Sequence, residues 1–320
     1  MVRHFFYVVF GGLAAIVGGI ILAGGSLRIY HSIADSFNLK SLSSAASVLL
    51  SHGDGTSISA MKRTVLYSAS QEEDLINAAS VDQTARSVKE ITAVSYLVKN
   101  LTDGTIIDEK NSNKLVPVAS LTKLVTAVVA SRLIDGDKLI VIDGNVIKTY
   151  GNTAGFKSGE TFRASELYFP LLMVSSNDAA EALARSYGRP KFIQAMNNFV
   201  QSIGAYRTTF ADPSGLSPDN RSTAVDLAII LEWIEENQLA IIRTTIIKTK
   251  TIRVHTWINP THFLSWSNYL GGKNGYTEEA DRTAVALFEM GKYKKVYEVI
   301  VLGSKVRDAD MVKLLAKIRE

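Results

Sequence analysis

The sequence predicts an α+β fold in which helices cover one antiparallel sheet and a helical subdomain is inserted into it. Strand-like sequence occurs near residues 91–108 and again over about 241–302. Helical periodicity dominates the part between them, and a final amphipathic stretch at 311–318 predicts a closing helix. Strands at both ends with helices between them indicate one sheet with helices packed on it, and an all-helical subdomain at roughly 145–237.

The first 28 residues predict a membrane anchor. No charged residue occurs from Phe5 to Leu27, and an apolar stretch of about 20 residues can span a bilayer. The apolar part of a secretory signal is usually about 7–15 residues long, which favours a retained anchor, although cleavage after Gly25 stays open. Residues 29–85 are rich in Ser, Ala and Thr and predict a stem, so residues 86–320 are expected to form the globular domain.

Turn residues and periodicity define the elements of this domain. The runs 91–98 and 105–108 flank Asp103-Gly104, which predicts a hairpin. Thr223 and Asp226 have the spacing of a capping box at a helix start. Helices are predicted at about 121–135, 164–173, 178–187, 190–203 and 223–237.

Composition excludes several classes of function. The 320 residues contain no Cys, which excludes thiol catalysis and disulfides. The five His residues show no metal-ligand spacing, so we expect no metal ion and no cofactor. The net charge of +4 comes from 35 basic and 31 acidic residues without a dense basic run, and nucleic-acid binding therefore has no support.

Three short motifs occur in one order along the chain: Ser120-Leu121-Thr122-Lys123, Ser175-Ser176-Asn177 and Lys273-Asn274-Gly275. Each motif alone is weak, since second copies occur at 59–62, 36–38 and 157–159. Two of these copies lie in the Ser-rich stretch near the N-terminus, and the third precedes the motif that it should follow. Only one set keeps its order inside the predicted domain.

The first motif has the residue types of acyl transfer. A serine hydroxyl is a poor nucleophile until a base takes its proton, and a lysine is a base only when it is neutral, which burial and a nearby cation favour. Apolar residues at 121, 124, 125, 128 and 129 predict a helix with Ser120 at its start and Lys123 one turn later on the same face. For one such motif alone, an ordinary capped helix with a surface lysine is the commoner explanation.

The other two motifs also allow ordinary structural explanations. Ser175 and Asn177 follow an apolar helix-like run and precede an Ala-rich helix, so they either face a cleft from a tight turn or simply cap the second helix. Lys273 follows Gly271-Gly272 and precedes a predicted hairpin of 282–290 with 295–302. This places the lysine beside the edge of the sheet, unless the motif is only a turn.

Taken together, these motifs resemble those of the D-alanyl-D-alanine carboxypeptidase family of low-molecular-mass penicillin-binding proteins, from residue 87 to about 318. The segment 118–123 resembles the family's nucleophile segment, and 175–179 resembles its S-[GA]-N-D-A. Asp212-Pro213-Ser214-Gly215-Leu216 resembles its N-P-x-G-L, and 272–277 its G-K-T-G-Y-T. The resemblance implies a β-lactamase/transpeptidase-like fold and a serine peptidase.

The resemblance also assigns roles to the matched positions. Ser120 would attack the carbonyl of a D-Ala-D-Ala peptide and Lys123 would accept its proton. Ser175 would relay a proton to the leaving amine, Asn177 would hold Lys123 and the acyl side of the peptide, and Lys273 would attract the terminal carboxylate. The N–H groups of Ser120 and Tyr276 would form the oxyanion hole. The substrate-binding positions would be Asn274, Gly275, Tyr276 and Thr277.

The resemblance further implies the ligands and the location. Peptidoglycan stem peptides would be the substrates and β-lactam antibiotics covalent inhibitors. We expect a single-pass protein of the bacterial cell membrane, with its N-terminus in the cytoplasm and its catalytic domain outside.

Two departures occur within the three short motifs, and two alternative functions stay open. Asn274 stands where the family has Thr, and Ser176 where it has Gly or Ala. A non-catalytic homologue that binds cell-wall peptides or a partner protein is one alternative. A serine β-lactamase is the other, although no glutamate between Asn177 and Lys273 has the E-x-x-L-N context of a class A enzyme.

Overall fold

The computed structural model describes residues 90–151 and 153–318. The predicted anchor at 1–28 and the stem at 29–85 lie outside these residues. Within the described residues, no helix is both long and apolar enough to cross a bilayer.

The strands form one large sheet and three small ones. In chain order they are β1 (Ser95–Asn100), β2 (Ile106–Lys110), β3 (Val116–Pro117), β4 (Leu139–Val141), β5 (Thr161–Arg163), β6 (Arg221–Ser222), β7 (Thr249–Ile252), β8 (His255–Ile258), β9 (Tyr269–Thr277), β10 (Asp281–Met290) and β11 (Lys295–Ser304). The large sheet is antiparallel and has the order β2-β1-β11-β10-β9. The pairs β3–β6, β4–β5 and β7–β8 form separate two-stranded sheets.

The helices occupy mainly the middle of the chain. They are α1 (Thr122–Leu133), α2 (Gly144–Ile147), α3 (Ala164–Met173), α4 (Asn177–Tyr187), α5 (Arg189–Ser202), α6 (Ala224–Asn237), α7 (Leu239–Thr245) and α8 (Arg307–Leu315). Short 3-10 turns occur at Ala119–Leu121 and His262–Ser265. The five helices predicted between 121 and 237 and both predicted hairpins are confirmed.

Four predictions about these elements need correction. The part expected to be strand-rich from 241 begins with helix α7, because its apolar Ile241 and Ile242 pack into the helical core. The last helix begins at Arg307 rather than 311. The inserted part at 145–237 is not all-helical, because strand β5 lies within it and pairs with β4, which precedes it. The capping box is only half formed: Asp226 N donates to the Thr223 hydroxyl, but the Asp226 carboxylate does not accept from Thr223 N. It accepts instead from Arg207 N and from the Thr208 hydroxyl.

Both faces of the large sheet are covered, as its alternating side chains require. In β11, Ile300 and Leu302 face the core that the sheet shares with α6, whereas Val299 and Val301 face α8. The neighbouring strand β10 alternates in the same way, with Val285 on the α6 side. The sheet is therefore packed between two layers of helices, and β9 is one of its two edges.

Helix α1 is buried on all sides over Thr122–Ala130. It packs against α3, α4 and α5, and the 3-10 turn before it lies against β9. A helix that is enclosed all round needs apolar residues on every face, which the sequence from Leu124 to Ala130 supplies apart from one threonine. Any polar side chain in its first turn is consequently removed from water.

Glu298 is a buried carboxyl group in the central strand β11. It is 0% exposed and lies opposite Lys99 of β1, whose ammonium pairs with Glu232 of α6. Neither carboxyl oxygen of Glu298 has a hydrogen-bond partner among the described residues. Burial, followed by the nearby charge of Glu232, raises the pKa of Glu298 well above its usual range.

Replacing Glu298 with Gln is expected to stabilise the protein at pH 8. A raised pKa in the folded state means that folding favours the protonated acid, so the wild type loses stability as the pH rises above the unfolded value of about 4.3. The gain for Glu298→Gln should be about 1–3 kcal/mol at pH 8 and should shrink toward pH 4. Denaturant unfolding at several pH values measures it, with the exposed Glu236→Gln on α6 as control. A gain that is the same at every pH would contradict the prediction.

Candidate active site

Ser120 lies in a constrained turn at the start of α1. The turn is fixed by hydrogen bonds from Val118 N to Asn220 O (3.0 Å) and from Thr122 Oγ1 to Ala119 O (2.8 Å). Ala119 has a φ of +49°, a left-handed conformation that is strained for a residue with a side chain. Ser120 itself is half-buried, so its hydroxyl reaches the surface of the site from a fixed backbone.

Lys123 lies one turn later and is completely buried. Its Nζ is 2.9 Å from Ser120 Oγ, 2.7 Å from Asn177 Oδ1 and 2.6 Å from the carbonyl oxygen of Ser214. The last two atoms can only accept hydrogen bonds. A neutral amine has two N–H bonds and one lone pair, so donating to both acceptors directs the lone pair toward Ser120. The serine hydroxyl is then the donor, as proton transfer from serine to lysine requires.

The electrostatics favour the neutral amine. Burial, followed by the charge of Lys273, holds the pKa of Lys123 well below its usual range, while Asp212 and Asp178 act in the opposite direction. Lys273 is 6% exposed, and burial followed by the charge of Arg307 lowers its pKa to about 7. The two lysines thus lie in one weakly solvated site, where Lys123 is neutral at pH 7 and Lys273 is only partly protonated.

Asn177 begins helix α4 and its amide has a fixed orientation. Its Nδ2 donates to the carbonyl of Tyr150 (2.9 Å), which leaves Oδ1 for Lys123. The preceding Ser176 caps α4 through a bond from Ala179 N to its hydroxyl (2.9 Å), so the capping role considered for this motif falls to Ser176. Asn177 is thereby free to face the site.

Ser175 lies in the same turn with a φ of +58°. Its hydroxyl is buried and has no hydrogen-bond partner among the described residues. Ser175 thus shares the turn with Asn177, but its hydroxyl is not hydrogen-bonded to Ser120 or Lys123. A buried hydroxyl without a partner has a cost that a substrate group could relieve.

The third motif lies on the edge strand β9. A Cβ at Gly275 would lie 2.8 Å from Ser120 N, so the strand passes directly beside the nucleophile and no larger residue fits there. Lys273 Nζ donates to the carbonyl of Asn274 (2.8 Å), and the Oδ1 of Asn274 is buried without a partner among the described residues. Tyr276 is exposed, and the Thr277 hydroxyl accepts from Ala280 N (3.1 Å) in the following turn.

Sequence reasoning assigned no role to the loop 212–217, although it closes the site. The carbonyl of Ser214 accepts from Lys123, and Gly215 has a φ of +90°. A Cβ at Gly215 would lie 2.0 Å from Ala119 O. The carbonyls of Ser214 and Tyr150 are backbone groups, so no side-chain pattern could identify them. The only sequence feature that pointed to this loop was its match to the family's N-P-x-G-L pattern.

No three His, Asp or Glu side chains are grouped to hold a metal ion in residues 90–151 and 153–318. The ionisable groups of the site are Lys123 and Lys273, together with the carboxyl groups of Asp178 and Asp212. The arrangement can activate a hydroxyl and attract an anion.

A family model described as D-alanyl-D-alanine carboxypeptidase matches residues 82–306. The chain belongs to this family. It is 30% identical to a D-alanyl-D-alanine endopeptidase of Pseudomonas aeruginosa over 62% of this chain and 67% of the relative. It is 29% identical to a D-alanyl-D-alanine carboxypeptidase of Mycobacterium tuberculosis, over 62% of this chain and 71% of that protein. A related endopeptidase of Escherichia coli is matched over 60% of its length, so the chain spans about two thirds or less of some relatives.

Solved structures of the family have the same fold of mixed helices and sheets. A penicillin-binding protein of Listeria monocytogenes with bound cefotaxime superposes with a TM-score of 0.64 at 26% identity, covering 72% of this chain and 98% of that one. A Streptomyces DD-transpeptidase gives a TM-score of 0.65 at 26% identity with the same coverage. The predicted family is confirmed, and the predicted fold is confirmed as one of mixed helices and sheets.

Substituting Gly215 with Ala is expected to abolish acylation of Ser120 by a β-lactam, because the new Cβ would collide with the backbone that holds the nucleophile. Gly159→Ala is the matched control: Gly159 has the same φ of +90°, but nothing lies within 4 Å of its Cβ position. The two positions share the same positive φ, and the collision is present only at Gly215. Equal acylation rates in the two variants would contradict the prediction.

Proposed function

We propose that this chain is a serine DD-peptidase that removes the terminal D-Ala from peptidoglycan stem peptides through an acyl-enzyme on Ser120. The observation that carries the proposal is the hydrogen bond between Ser120 Oγ and a buried Lys123 whose other two contacts are acceptors. The names of the related carboxypeptidases and endopeptidases support the substrate class.

The proposed reaction begins when Ser120 Oγ attacks the carbonyl carbon between the two D-Ala residues and its proton passes to Lys123. The N–H groups of Ser120 and Tyr276 stabilise the oxyanion, and losing one such donor typically costs about 10²–10³ in rate. The C–N bond then breaks as Lys123 gives up the proton it received, which passes through Ser175 to the departing amine, so that Lys123 is neutral again. Water attacks the ester, Lys123 takes a proton from that water, and Ser120 regains its hydrogen.

Lys273 is proposed to bind the terminal carboxylate of the substrate from β9. The family's Thr hydroxyl is replaced by Asn274, whose buried Oδ1 has no partner among the described residues. An amide group can donate to the carboxylate only through Nδ2, so binding requires that Nδ2 rather than Oδ1 face the substrate. Asn274 therefore affects the strength of substrate binding and leaves the Ser120–Lys123 pair unchanged.

The proposed location is the bacterial cell membrane, with the catalytic domain outside the cytoplasm. Support comes from the uncharged segment before Arg28 and from the position of peptidoglycan outside the membrane. Endopeptidase action on cross-linked peptides is a second candidate, since the relatives in Pseudomonas aeruginosa and Escherichia coli carry that name.

The proposal is tested by incubating the full chain with benzylpenicillin and recording its intact mass, beside Ser120→Ala. We expect a long-lived adduct of one penicillin on the wild type and none on the variant. Release of D-Ala from a pentapeptide then identifies a carboxypeptidase, and cleavage of a cross-linked dimer an endopeptidase. Rapid turnover to penicilloate would instead indicate a β-lactamase, and neither adduct nor turnover would favour a binding protein.

The pH dependence of kcat/KM is expected to show a basic limb that comes from Lys273. Its pKa of about 7 means that the cation that attracts the carboxylate is lost as the pH rises through that value. The rate for a D-Ala-D-Ala peptide should therefore decline above about pH 7, chiefly through KM. A peptide with a terminal carboxamide lacks the charge that Lys273 recognises and is the control. The same basic limb for both peptides would contradict the assignment.

A further inference from the structure

The loop 212–217 is organised around one carboxylate. Asp212 Oδ1 accepts from Ser214 N (2.6 Å), Ser214 Oγ (2.7 Å) and Gly215 N (2.8 Å). Its Oδ2 accepts from Ser217 N (2.6 Å). Asp212 is 7% exposed, so this carboxylate is buried and receives four hydrogen bonds from its own loop.

The same loop is tied to the helix that carries the nucleophile. Thr126 Oγ1 donates to the carbonyl of Pro213 (2.6 Å), and Asn220 Nδ2 donates to Thr122 Oγ1 (3.0 Å). With the N–H groups of residues 214, 215 and 217 held by Asp212, the carbonyl of Ser214 points at Lys123 Nζ, 2.6 Å away. The direction of this carbonyl is one of the two constraints on the lone pair of Lys123.

The charge of Asp212 also matters, because Asp stands where the family pattern has Asn. The charged groups that act on Lys123 are Lys273 from β9, Asp178 from α4 and Asp212 from the loop. Arg189 of α5 also senses the charge of Asp212. Burial and Lys273 keep Lys123 neutral but weaken it as a base, and a general base works best when its pKa is near the working pH.

We propose that Asp212 is a positioning residue for Lys123: its carboxylate holds the Ser214 carbonyl against the amine, and its negative charge opposes that of Lys273, which keeps the amine a competent base. The inference rests on the proposed function, because Lys123 must act as the base toward Ser120. Asp212 itself touches neither the nucleophile nor the substrate in this role.

The test is the second-order rate constant for acylation of the full chain by benzylpenicillin, measured from pH 5 to 9, for the wild type and Asp212→Asn. The acid limb of this profile reports loss of the proton from Lys123. Removing the negative charge should move the limb to lower pH by about one unit, because the charge of Asp212 favours the protonated form of the buried amine. The plateau should also fall, because an amide nitrogen cannot accept from Ser217 N.

The controls separate this role from others. Asp219→Asn removes an exposed carboxylate two residues after the loop and should leave the profile unchanged. Ser214→Ala removes one donor to Asp212 but keeps the charge, so it should not move the limb. Asp212→Ser removes the charge with a smaller side chain and gives the same comparison should the Asn variant fail to fold.

A lower plateau with an unmoved acid limb would show that Asp212 only scaffolds the loop and would overturn the proposal, as would an unchanged profile. Failure of the wild type to acylate would instead overturn the proposed function. The two failures are therefore distinct.

Discussion

The site depends on placing a lysine amine where water cannot reach it. Lys123 is in the first turn of a helix that is enclosed on all sides, and it is 0% exposed. An isolated charge in such a place is costly, so the group gives up its proton rather than remain charged. The fold thereby converts an ordinarily cationic side chain into a base, and the surrounding acceptors decide where its lone pair points.

Three chain segments that are distant in sequence must meet for this to work. The turn before α4 supplies Asn177, the loop after α5 supplies the Ser214 carbonyl, and the edge strand β9 supplies Lys273. Glycine permits two of the approaches, since Gly215 and Gly275 lie so near the backbone of Ala119 and Ser120 that a Cβ would collide with it. Close backbone packing, more than side-chain identity, fixes the nucleophile.

Much of this could be predicted from sequence because it follows local patterns. The spacing of Ser120 and Lys123 depends on four consecutive residues, and the hairpin around Gly291 depends on its turn and the two strands that flank it. Helix α7 was missed because a short apolar run such as 239–245 fits a strand as well as a helix, and tertiary packing decided between them. Lys123 and Asn177 donate to the backbone carbonyls of Ser214 and Tyr150. Every residue has a backbone carbonyl, so the amino-acid type at these positions does not predict the contacts.

The position of β9 at the edge of the sheet has a consequence for what the cleft can hold. One side of this strand pairs with β10, and the other has no neighbouring strand among the described residues, although the N–H of Gly272 on that side donates to Thr245 Oγ1 of α7. An extended peptide laid along the remainder of that side can bind to main-chain N–H and C=O groups, as an added strand. Main-chain hydrogen bonds of this kind do not depend on most side chains of the bound peptide. Specificity would then come from its two ends: the carboxyl terminus, and the point at which the peptide leaves the sheet.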